Sequence, residues 1–492
     1  MFTPRSLRAL LLATALAGLL PAEVKLPALI SDHMLLQQGV PVRIWGTAAP
    51  GEAVKVSFRG QQAATKGGAE GKWAIWLQPL KPGGPNDLTI AGSNTIAVRD
   101  VLVGEVWVGS GQSNMAFSVG RSDNAAEEIA GANYPSIRLF KVKTTVGEQP
   151  MDDVTGAWSV CNPDSVKDFS AVGYFFARNV HKTQGIPVAL IQSAWGGTPA
   201  QAWTSRPTLE TNPSLRYVLD NWQRVMESYP EARAKYEKQV AEWKPDSGTA
   251  KPALPMGPGH SHSPAGLFNA MIAPLTNYAI RGAIWYQGEN DGYEARAWNY
   301  RHLFRAMIED WRRAWGVGDF PFLYVQLANF KTNGWWPILR ESQTDTLALR
   351  NTGMAMAIDI GNSRDIHPTN KQEVGRRLAL AARHIAYSEA IEYSGPMFRQ
   401  LSVHNGALRA WFDHASGLKA RDGAITGFEI AGEDGVYHPA EAQVDGASVV
   451  LTSAAVPQPV SVRYGWADDP ACNLVNGDGL PASPFRAGER SR

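Results

Sequence analysis

The sequence Glu105-Val-Trp-Val-Gly-Ser-Gly-Gln-Ser-Asn-Met115 joins a short apolar run to a polar turn that is rich in glycine. The run at residues 105–108 is typical of a strand that is buried on both faces of a parallel sheet. The turn after it contains few side chains that would pack in a core. Because ligands bind at the carboxyl ends of parallel strands, we expect this turn to carry part of a functional site.

The same pattern repeats along the middle of the chain. Further buried strands are predicted at residues 187–192, 279–286, 321–327 and 354–360. Amphipathic helices are predicted between them, at residues 170–184, 296–315, 340–349 and 370–387. Gly185 and Gly316 follow two of these helices and are typical of helix ends, and Thr369 begins a capping-box pattern before the last one. This alternation of strands and helices predicts a doubly wound α/β domain.

The two ends of the chain show a different pattern. Short alternating segments are separated there by turns rich in Gly, Pro and Asn, which is typical of β-sandwiches. We therefore predict an N-terminal β-sandwich domain at residues 23–103, an α/β domain at residues 104–394 and a C-terminal β domain at residues 395–492. A charged stretch at about residues 207–246 is predicted to be a helical insertion in the α/β domain.

Residues 1–22 place Arg5 and Arg8 before an apolar run that leads into Pro21-Ala22. This pattern predicts a secretory signal peptide. We therefore expect an exported protein, either periplasmic or extracellular. The later sequence contains no apolar stretch of the roughly 20 residues that a membrane span requires, so we predict no membrane span in the mature chain.

The composition excludes one class of partner and leaves other questions open. The 47 Lys and Arg residues nearly balance the 46 Asp and Glu residues, whereas nucleic-acid binders need a basic surface. The 17 Trp residues have two interpretations, which are aromatic core packing and a surface that stacks on sugar rings. The pairing of Cys161 and Cys472 and the oligomeric state stay open.

Four polar segments follow predicted strands, where they would meet at one edge of the sheet. They are Gly109-Ser-Gly-Gln-Ser-Asn-Met115, Ser193-Ala-Trp-Gly-Gly-Thr198, Trp285-Tyr-Gln-Gly-Glu-Asn-Asp291 and Asp365-Ile-His-Pro368. Together they supply a serine nucleophile, donors for an oxyanion, and a His beside an Asp. This set predicts acyl transfer to water by a serine esterase. We predict no metal and no cofactor, and we interpret His260-Ser-His262 as a loop rather than a metal site.

At these residues the chain resembles the sialate O-acetylesterases of the SGNH-hydrolase superfamily, which is named after Ser, Gly, Asn and His in four sequence blocks. The four segments above are similar to those blocks in the same order, with Gln in place of the superfamily's Asn in the third. The C-terminal segments Trp466-Ala-Asp-Asp-Pro470 and Gly479-Leu-Pro-Ala-Ser-Pro-Phe485 also resemble this family. The resemblance implies a three-layer α/β/α SGNH-hydrolase domain flanked by the two β domains.

The resemblance also implies roles for particular residues. Ser113 would be the nucleophile and His367 the general base. The oxyanion would be bound by the amide of Ser113, an amide of the glycine pair and the side chain of Gln287. We assign the glycine donor to Gly197, with Gly196 as the alternative.

One position departs from the pattern of the superfamily. SGNH hydrolases typically place an Asp three residues before the His, but that residue is Arg364 in this chain. We assign the orienting carboxylate to Asp365, two residues before His367, and keep Asp359 and Glu289 as alternatives.

The reaction implied by the resemblance is hydrolysis of an acetyl ester of sialic acid to acetate. A xylan or hemicellulose acetylesterase would use the same machinery, and a non-catalytic carbohydrate-binding protein is an alternative of another class. The expected partner is an O-acetylated sugar. Because Trp195, Trp285 and Glu289 lie within the predicted blocks, we expect them to contact it.

Overall fold

The computed structural model describes residues 23–245, 248–332 and 334–488. The predicted signal peptide lies outside these residues. The described chain is a mixed α/β structure with a central, mostly parallel sheet and additional β-sheets at both ends. None of the helices in its described part is long and apolar enough to cross a membrane.

The strands up to the end of the central sheet are β1 (Leu35–Gln37), β2 (Val42–Thr47), β3 (Ala53–Phe58), β4 (Gln61–Lys66), β5 (Lys72–Leu77), β6 (Gly83–Ala91), β7 (Thr95–Gly111), β8 (Tyr134–Lys141), β9 (Trp158–Cys161), β10 (Val188–Ala194), β11 (Gly282–Tyr286), β12 (Phe322–Gln326) and β13 (Thr352–Met356). Those nearer the carboxyl end are β14 (Met397–His404), β15 (Ala407–Asp413), β16 (Lys419–Ala420), β17 (Phe428–Ala431), β18 (Tyr437–Pro439), β19 (Glu441–Asp445), β20 (Ser448–Thr452), β21 (Ser461–Tyr464), β22 (Leu474–Val475) and β23 (Phe485–Ala487). The α-helices are α1 (Ser113–Ala116), α2 (Ala125–Ala130), α3 (Pro163–Lys167), α4 (Ala171–Gln184), α5 (Arg206–Thr211), α6 (Arg216–Glu242), α7 (Glu294–Trp315), α8 (Trp336–Asp345) and α9 (Lys371–Ile385).

The central sheet has the strand order β13-β12-β11-β7-β10-β8-β9. Its neighbours are parallel except β8 and β9, which are antiparallel. The five strands predicted from apolar runs all lie in it. The sequence patterns did not reveal β8, whose Arg138 and Lys141 interrupt the apolar run, or β9, which is only four residues long.

Strand β7 connects the amino-terminal sheet to the central sheet. It is 17 residues long; its first part pairs with β6 and β1, and its last part pairs with β10 and β11. The boundary predicted between residues 103 and 104 thus falls inside one continuous strand. Buried side chains from Val24 to Ala386 form a single hydrophobic core, and a second core lies between Leu408 and Phe485.

The helices begin and end close to the predicted positions, with one corrected cap. Helix α4 begins after Ser170, whose side chain accepts a hydrogen bond from the amide of Gly173, and ends at Gly185 in the left-handed conformation. Helix α9 is capped by Asn370, which accepts from the amide of Glu373 at 3.1 Å. The capping box predicted to start at Thr369 is therefore wrong by one residue, because the Asn side chain occupies the cap.

The stretch predicted to be a helical insertion contains α5 and α6. Of the 27 residues of α6, Val218 is the one that is buried. The remaining residues are partly or fully exposed, so this long helix contributes little to the core.

A buried arginine fastens the C-terminal region to the central sheet. The Arg340 side chain on α8 is fully buried and donates to the backbone oxygens of Leu327, Ala328, Ala467 and Asp468 at 2.8–2.9 Å. Two of these acceptors follow β12 and two belong to the segment after β21. One guanidinium thus satisfies carbonyl groups from two distant parts of the chain.

We predict that Arg340→Ala lowers the free energy of unfolding by about 3 kcal/mol or more, because it removes four hydrogen bonds made by a fully buried side chain and leaves a cavity in its place. Urea denaturation followed by tryptophan fluorescence measures this change. The exposed Arg305 on α7 provides a matched control, and Arg305→Ala should change stability by less than about 0.5 kcal/mol. Equal effects of the two substitutions would contradict the proposed anchoring.

Candidate active site

The predicted nucleophile lies where three central strands end. The register aligns Gly111 with Ala194 of β10 and with Tyr286 of β11. Gly111 has a φ of +133°, and a Cβ atom there would lie 2.2 Å from the backbone oxygen of Tyr286. Only glycine fits this close approach. The chain then turns, and Ser113 becomes the first residue of α1.

Ser113 and His367 are in direct contact. The Nε2 atom of His367 lies 2.8 Å from the Oγ atom of Ser113, although 254 residues separate them. His367 belongs to the loop between β13 and α9, which ends at the same edge of the sheet. Both side chains are partly exposed. A hydrogen bond of this length lets an imidazole accept the serine proton.

Of the three carboxylates considered, Asp365 is the one beside His367. Its Oδ1 atom lies 3.3 Å from Nδ1 of His367 and accepts the backbone N–H of the same residue at 2.9 Å. Asp359 is instead bound by Arg377, at 2.6 and 2.9 Å, and by Arg421. The geometry therefore favours Asp365 as the orienting group, despite its unusual spacing.

The surroundings of His367 keep its imidazole neutral. Burial lowers its pKa below the usual value of 6.5, and the positive charges of Lys371 and Arg121 act in the same direction. The carboxylate of Asp365 opposes this shift. The ring also stacks on Phe117, with centroids 6.3 Å apart. A neutral imidazole at neutral pH is the form required of a general base.

The glycine pair lies against the nucleophile. A Cβ atom on Gly196 would lie 3.4 Å from the Cβ atom of Ser113, whereas one on Gly197 would meet nothing within 4 Å. The backbone oxygen of Gly197 accepts from Nε2 of His262 at 2.7 Å and from Nδ2 of Asn290 at 2.8 Å. The predicted donor Gly197 therefore lies one residue beyond the glycine that contacts Ser113.

The side chain of Gln287 is not available to an oxyanion in this structure. It is fully buried, and its amide donates to the oxygen of Thr198 at 3.2 Å and to Asp291 at 2.6 Å. Its own oxygen accepts from the hydroxyl of Tyr300 at 3.0 Å. The geometry thus does not support the predicted oxyanion role; Gln287 instead supports the loop that carries the glycine pair.

Two of the three residues predicted to contact substrate are buried, and these assignments are corrected. Trp285 is fully buried and packs against Trp203, Phe304 and Trp311, so it belongs to the core. Glu289 is also buried. Neither side chain can reach a sugar from these positions.

Trp195, the third predicted contact, is partly exposed and directly precedes Gly196. Of the three side chains, it is the one that is not buried.

The structure adds two residues, Asn114 and Lys371, to which the sequence patterns assigned no role. The Nζ atom of Lys371 donates to Oδ1 of Asn114 at 2.5 Å, and Asn114 donates to Glu289. Burial lowers the pKa of Lys371 to about 7 and raises the pKa of Glu289. A lysine in the first turn of an amphipathic helix normally faces water, so the sequence carried no signal for Lys371.

His260 and His262 form part of a loop beside the glycine pair. Their rings are 4.8 Å apart, and His262 is occupied by the bond to Gly197. Among the described residues, no cluster of three or more His, Cys, Asp or Glu side chains could hold a metal ion. Cys161 and Cys472 are both free thiols in this structure.

A family model described as carbohydrate esterase, sialic acid-specific acetylesterase, matches residues 103–242 and 257–384. The chain belongs to this family. The sialate O-acetylesterase of Mus musculus is 32% identical over 514 residues, covering 93% of each protein. The enzyme of the same name from Homo sapiens is 32% identical and covers 93% of this chain and 91% of its own length.

A solved structure shows the same architecture as this family member. The carbohydrate acetylesterase from Xanthomonas citri superposes with a TM-score of 0.82 and 40% sequence identity, covering 94% of this chain and 99% of its own. These comparisons confirm the predicted resemblance to the sialate O-acetylesterases. They also confirm that the protein is a carboxylic ester hydrolase.

The position of Asp365 generates a prediction about pH. Replacement by Asn removes the negative charge that raises the pKa of His367, so the acid limb of the kcat/KM profile should move to lower pH. The maximal rate should fall by about 100-fold or more, because the imidazole loses its orienting partner. Hydrolysis of p-nitrophenyl acetate between pH 4 and 9 measures both effects.

The exposed Asp220 on α6 provides the control for this substitution, and Asp220→Asn should leave the profile unchanged. An acid limb in Asp365→Asn that stays in place or moves to higher pH would contradict the assignment of Asp365.

Proposed function

We propose that this esterase removes O-acetyl groups from sialic acid, with Ser113 as the nucleophile and His367 as the general base. The observation that carries the proposal is the 2.8 Å contact between Oγ of Ser113 and Nε2 of His367. This pair lies at the carboxyl edge of the central sheet, in a chain that belongs to the sialic acid-specific acetylesterases. Asp365 is the positioning residue for the imidazole.

The reaction proceeds in two steps. Oγ of Ser113 attacks the acetyl carbonyl carbon while His367 takes the serine proton, and the carbonyl oxygen becomes an oxyanion. The intermediate collapses when the bond to the sugar oxygen breaks, and His367 gives the proton to that oxygen. Water then attacks the acetyl-serine with His367 as base. Acetic acid leaves as His367 returns the proton to Ser113, and the acid then releases its own proton to solvent to give acetate.

The amide of Ser113 and an amide of the glycine pair are the proposed oxyanion donors. Ser113 is the first residue of α1, where backbone N–H groups have no acceptor within the helix. Gly196 lies close to Ser113, so the loop that carries the glycine pair lies beside the nucleophile. Because Gln287 is occupied elsewhere, the backbone donors carry the proposed stabilisation.

We also propose that the central sheet and its helices form the three-layer arrangement of SGNH hydrolases. Helices α4 and α9 pack against each other and against strands of the central sheet, and α7 packs against α8. In a three-layer fold these two pairs would cover opposite faces.

The amino-terminal basic and apolar pattern supports the further proposal that the protein is exported to the periplasm or to the extracellular space.

Two arginines could receive the carboxylate that distinguishes sialic acid from the sugars of xylan. Arg121 lies 4.5 Å over the ring of Phe117, which stacks on His367. Nη1 of Arg296 donates to both oxygens of Asn290 at 3.3 Å. Both arginines are exposed, and neither has an ion pair with a carboxylate in the described chain. Arg296 is held beside the glycine loop, and its guanidinium has further N–H groups that the contacts with Asn290 do not use. We therefore assign recognition of the sialic acid carboxylate to Arg296.

The first prediction from this mechanism concerns the nucleophile. Ser113→Ala should lower the release of p-nitrophenol from p-nitrophenyl acetate by about a thousandfold or more, because alanine has no hydroxyl to form the acetyl intermediate. Circular dichroism and the midpoint of thermal unfolding should match those of the unchanged protein. Hydrolysis at the original rate would overturn the serine mechanism.

The second prediction concerns the substrate. Acetate release should be faster from O-acetylated sialic acid than from acetylated xylan. Arg296→Gln should lower kcat/KM for the sialic acid by about 10- to 100-fold, since one charge-assisted contact is lost. Its activity on p-nitrophenyl acetate should stay close to that of the unchanged protein.

Variants of Arg121 and Arg305 complete this comparison. A selective loss in Arg121→Gln, with none in Arg296→Gln, would transfer the role to Arg121 and refute our assignment. Arg305→Gln, on the exposed face of α7, should change neither activity. Preference for acetylated xylan in the unchanged protein would support the alternative of a hemicellulose acetylesterase.

A further inference from the structure

Three polar side chains are buried together beneath the nucleophile. Asn114, Glu289 and Lys371 are 1%, 4% and 0% exposed. Nζ of Lys371 donates to Oδ1 of Asn114, and Nδ2 of Asn114 donates to Oε1 of Glu289, each at 2.5 Å. Burial of an ammonium and a carboxylate costs several kcal/mol per ion. Apolar side chains would fill this space at lower cost, so stability alone does not account for the cluster.

Asn114 also connects the two residues of the catalytic pair. It directly follows Ser113 in the chain, and its Nδ2 atom donates to the backbone oxygen of Ile366 at 2.9 Å. Ile366 directly precedes His367. A single amide side chain therefore bridges the residue after the nucleophile and the residue before the base.

Lys371 and Glu289 fix the orientation of this amide. Lys371 donates a hydrogen bond to the amide oxygen of Asn114, and Glu289 accepts one from its amide nitrogen. The two ends of the amide therefore cannot exchange places. The Lys371 ammonium also lies 4.9 Å from the ring centroid of Phe117 and 5.1 Å from that of Tyr286. The cluster thereby joins α1, the end of β11 and the start of α9.

We infer that Asn114, held by Lys371 and Glu289, is a positioning residue that keeps Ser113 in hydrogen-bond contact with His367. We call these three residues the Asn114 clamp. The inference rests on the proposed serine mechanism. The role of the clamp is to hold the geometry of the catalytic pair, because displacement of a reacting group by about 1 Å can cost 100-fold in rate.

The clamp also acts on His367 through charge. The positive charge of Lys371 lowers the pKa of His367, together with that of Arg121 and against that of Asp365. Lys371 itself faces Glu289 as well as Asp365, Arg121 and Asp123. Removal of the lysine charge should therefore raise the pKa of His367, a change that a purely structural residue would not produce.

The test uses two measurements on the full-length protein. The first is kcat and KM for p-nitrophenyl acetate, and the second is the rate at which diisopropyl fluorophosphate modifies Ser113. Asn114→Ala should lower kcat and the modification rate together by about 10- to 100-fold, with KM little changed. Asn221→Ala on the exposed face of α6 is the matched control and should change neither.

Two further variants separate hydrogen bonding from charge. Lys371→Met keeps much of the side-chain volume, so it should fold, and it should move the acid limb of kcat/KM to higher pH. The control Lys235→Met, on α6, should leave the limb in place. Glu289→Gln keeps an oxygen that accepts from Asn114, so it should retain most of kcat, whereas Glu289→Ala should not.

The outcomes separate the clamp from the serine mechanism itself. If diisopropyl fluorophosphate does not modify the unchanged protein at Ser113, the proposed serine mechanism fails. If it does, and Asn114→Ala reacts at the original rate, the clamp is refuted. Should Asn114→Ala not fold, equal kcat in Glu289→Gln and Glu289→Ala refutes it instead, as does an unmoved acid limb in Lys371→Met.

Discussion

The structure depends on one row of backbone pairing at the centre of the main sheet. Gly111, Ala194 and Tyr286 lie side by side at the ends of β7, β10 and β11. The polar segments that follow these strands must therefore leave the sheet together. Gly111 lets β11 approach so closely that any side chain there would collide with the oxygen of Tyr286. The positions of Ser113, the glycine pair and Glu289 all follow from this row.

The sequence predicted the residues whose location at the edge of the sheet follows from their position just after a strand. Ser113 and His367 follow predicted strands in polar turns, and parallel strands bring such turns to one edge. Their contact, and that of His367 with Asp365, therefore agrees with the expectation. The strands of the central sheet were predictable for the same reason, since continuous apolar runs signal burial on both faces.

The residues that the sequence assigned wrongly, and the one that it missed, differ from the others in side-chain direction. Gln287 and Trp285 lie in the correct segment, but they point into the core, and a pattern of residue types does not show this. Lys371 was missed because a lysine at the start of a polar-faced helix normally meets solvent. Its burial depends on an amide and a carboxylate from distant parts of the chain, which only the folded structure brings together.

The continuity of β7 has a consequence for the order in which this protein can form. During synthesis the amino-terminal strands emerge first, and the first part of β7 can pair with β6 at once. The last part of the same strand must wait for β10 and β11, which follow some 80 and 170 residues later. Such long-range pairing is slow, and the apolar residues of β7 stay uncovered meanwhile. The central sheet therefore stays incomplete until β11 and the strands after it have been synthesised.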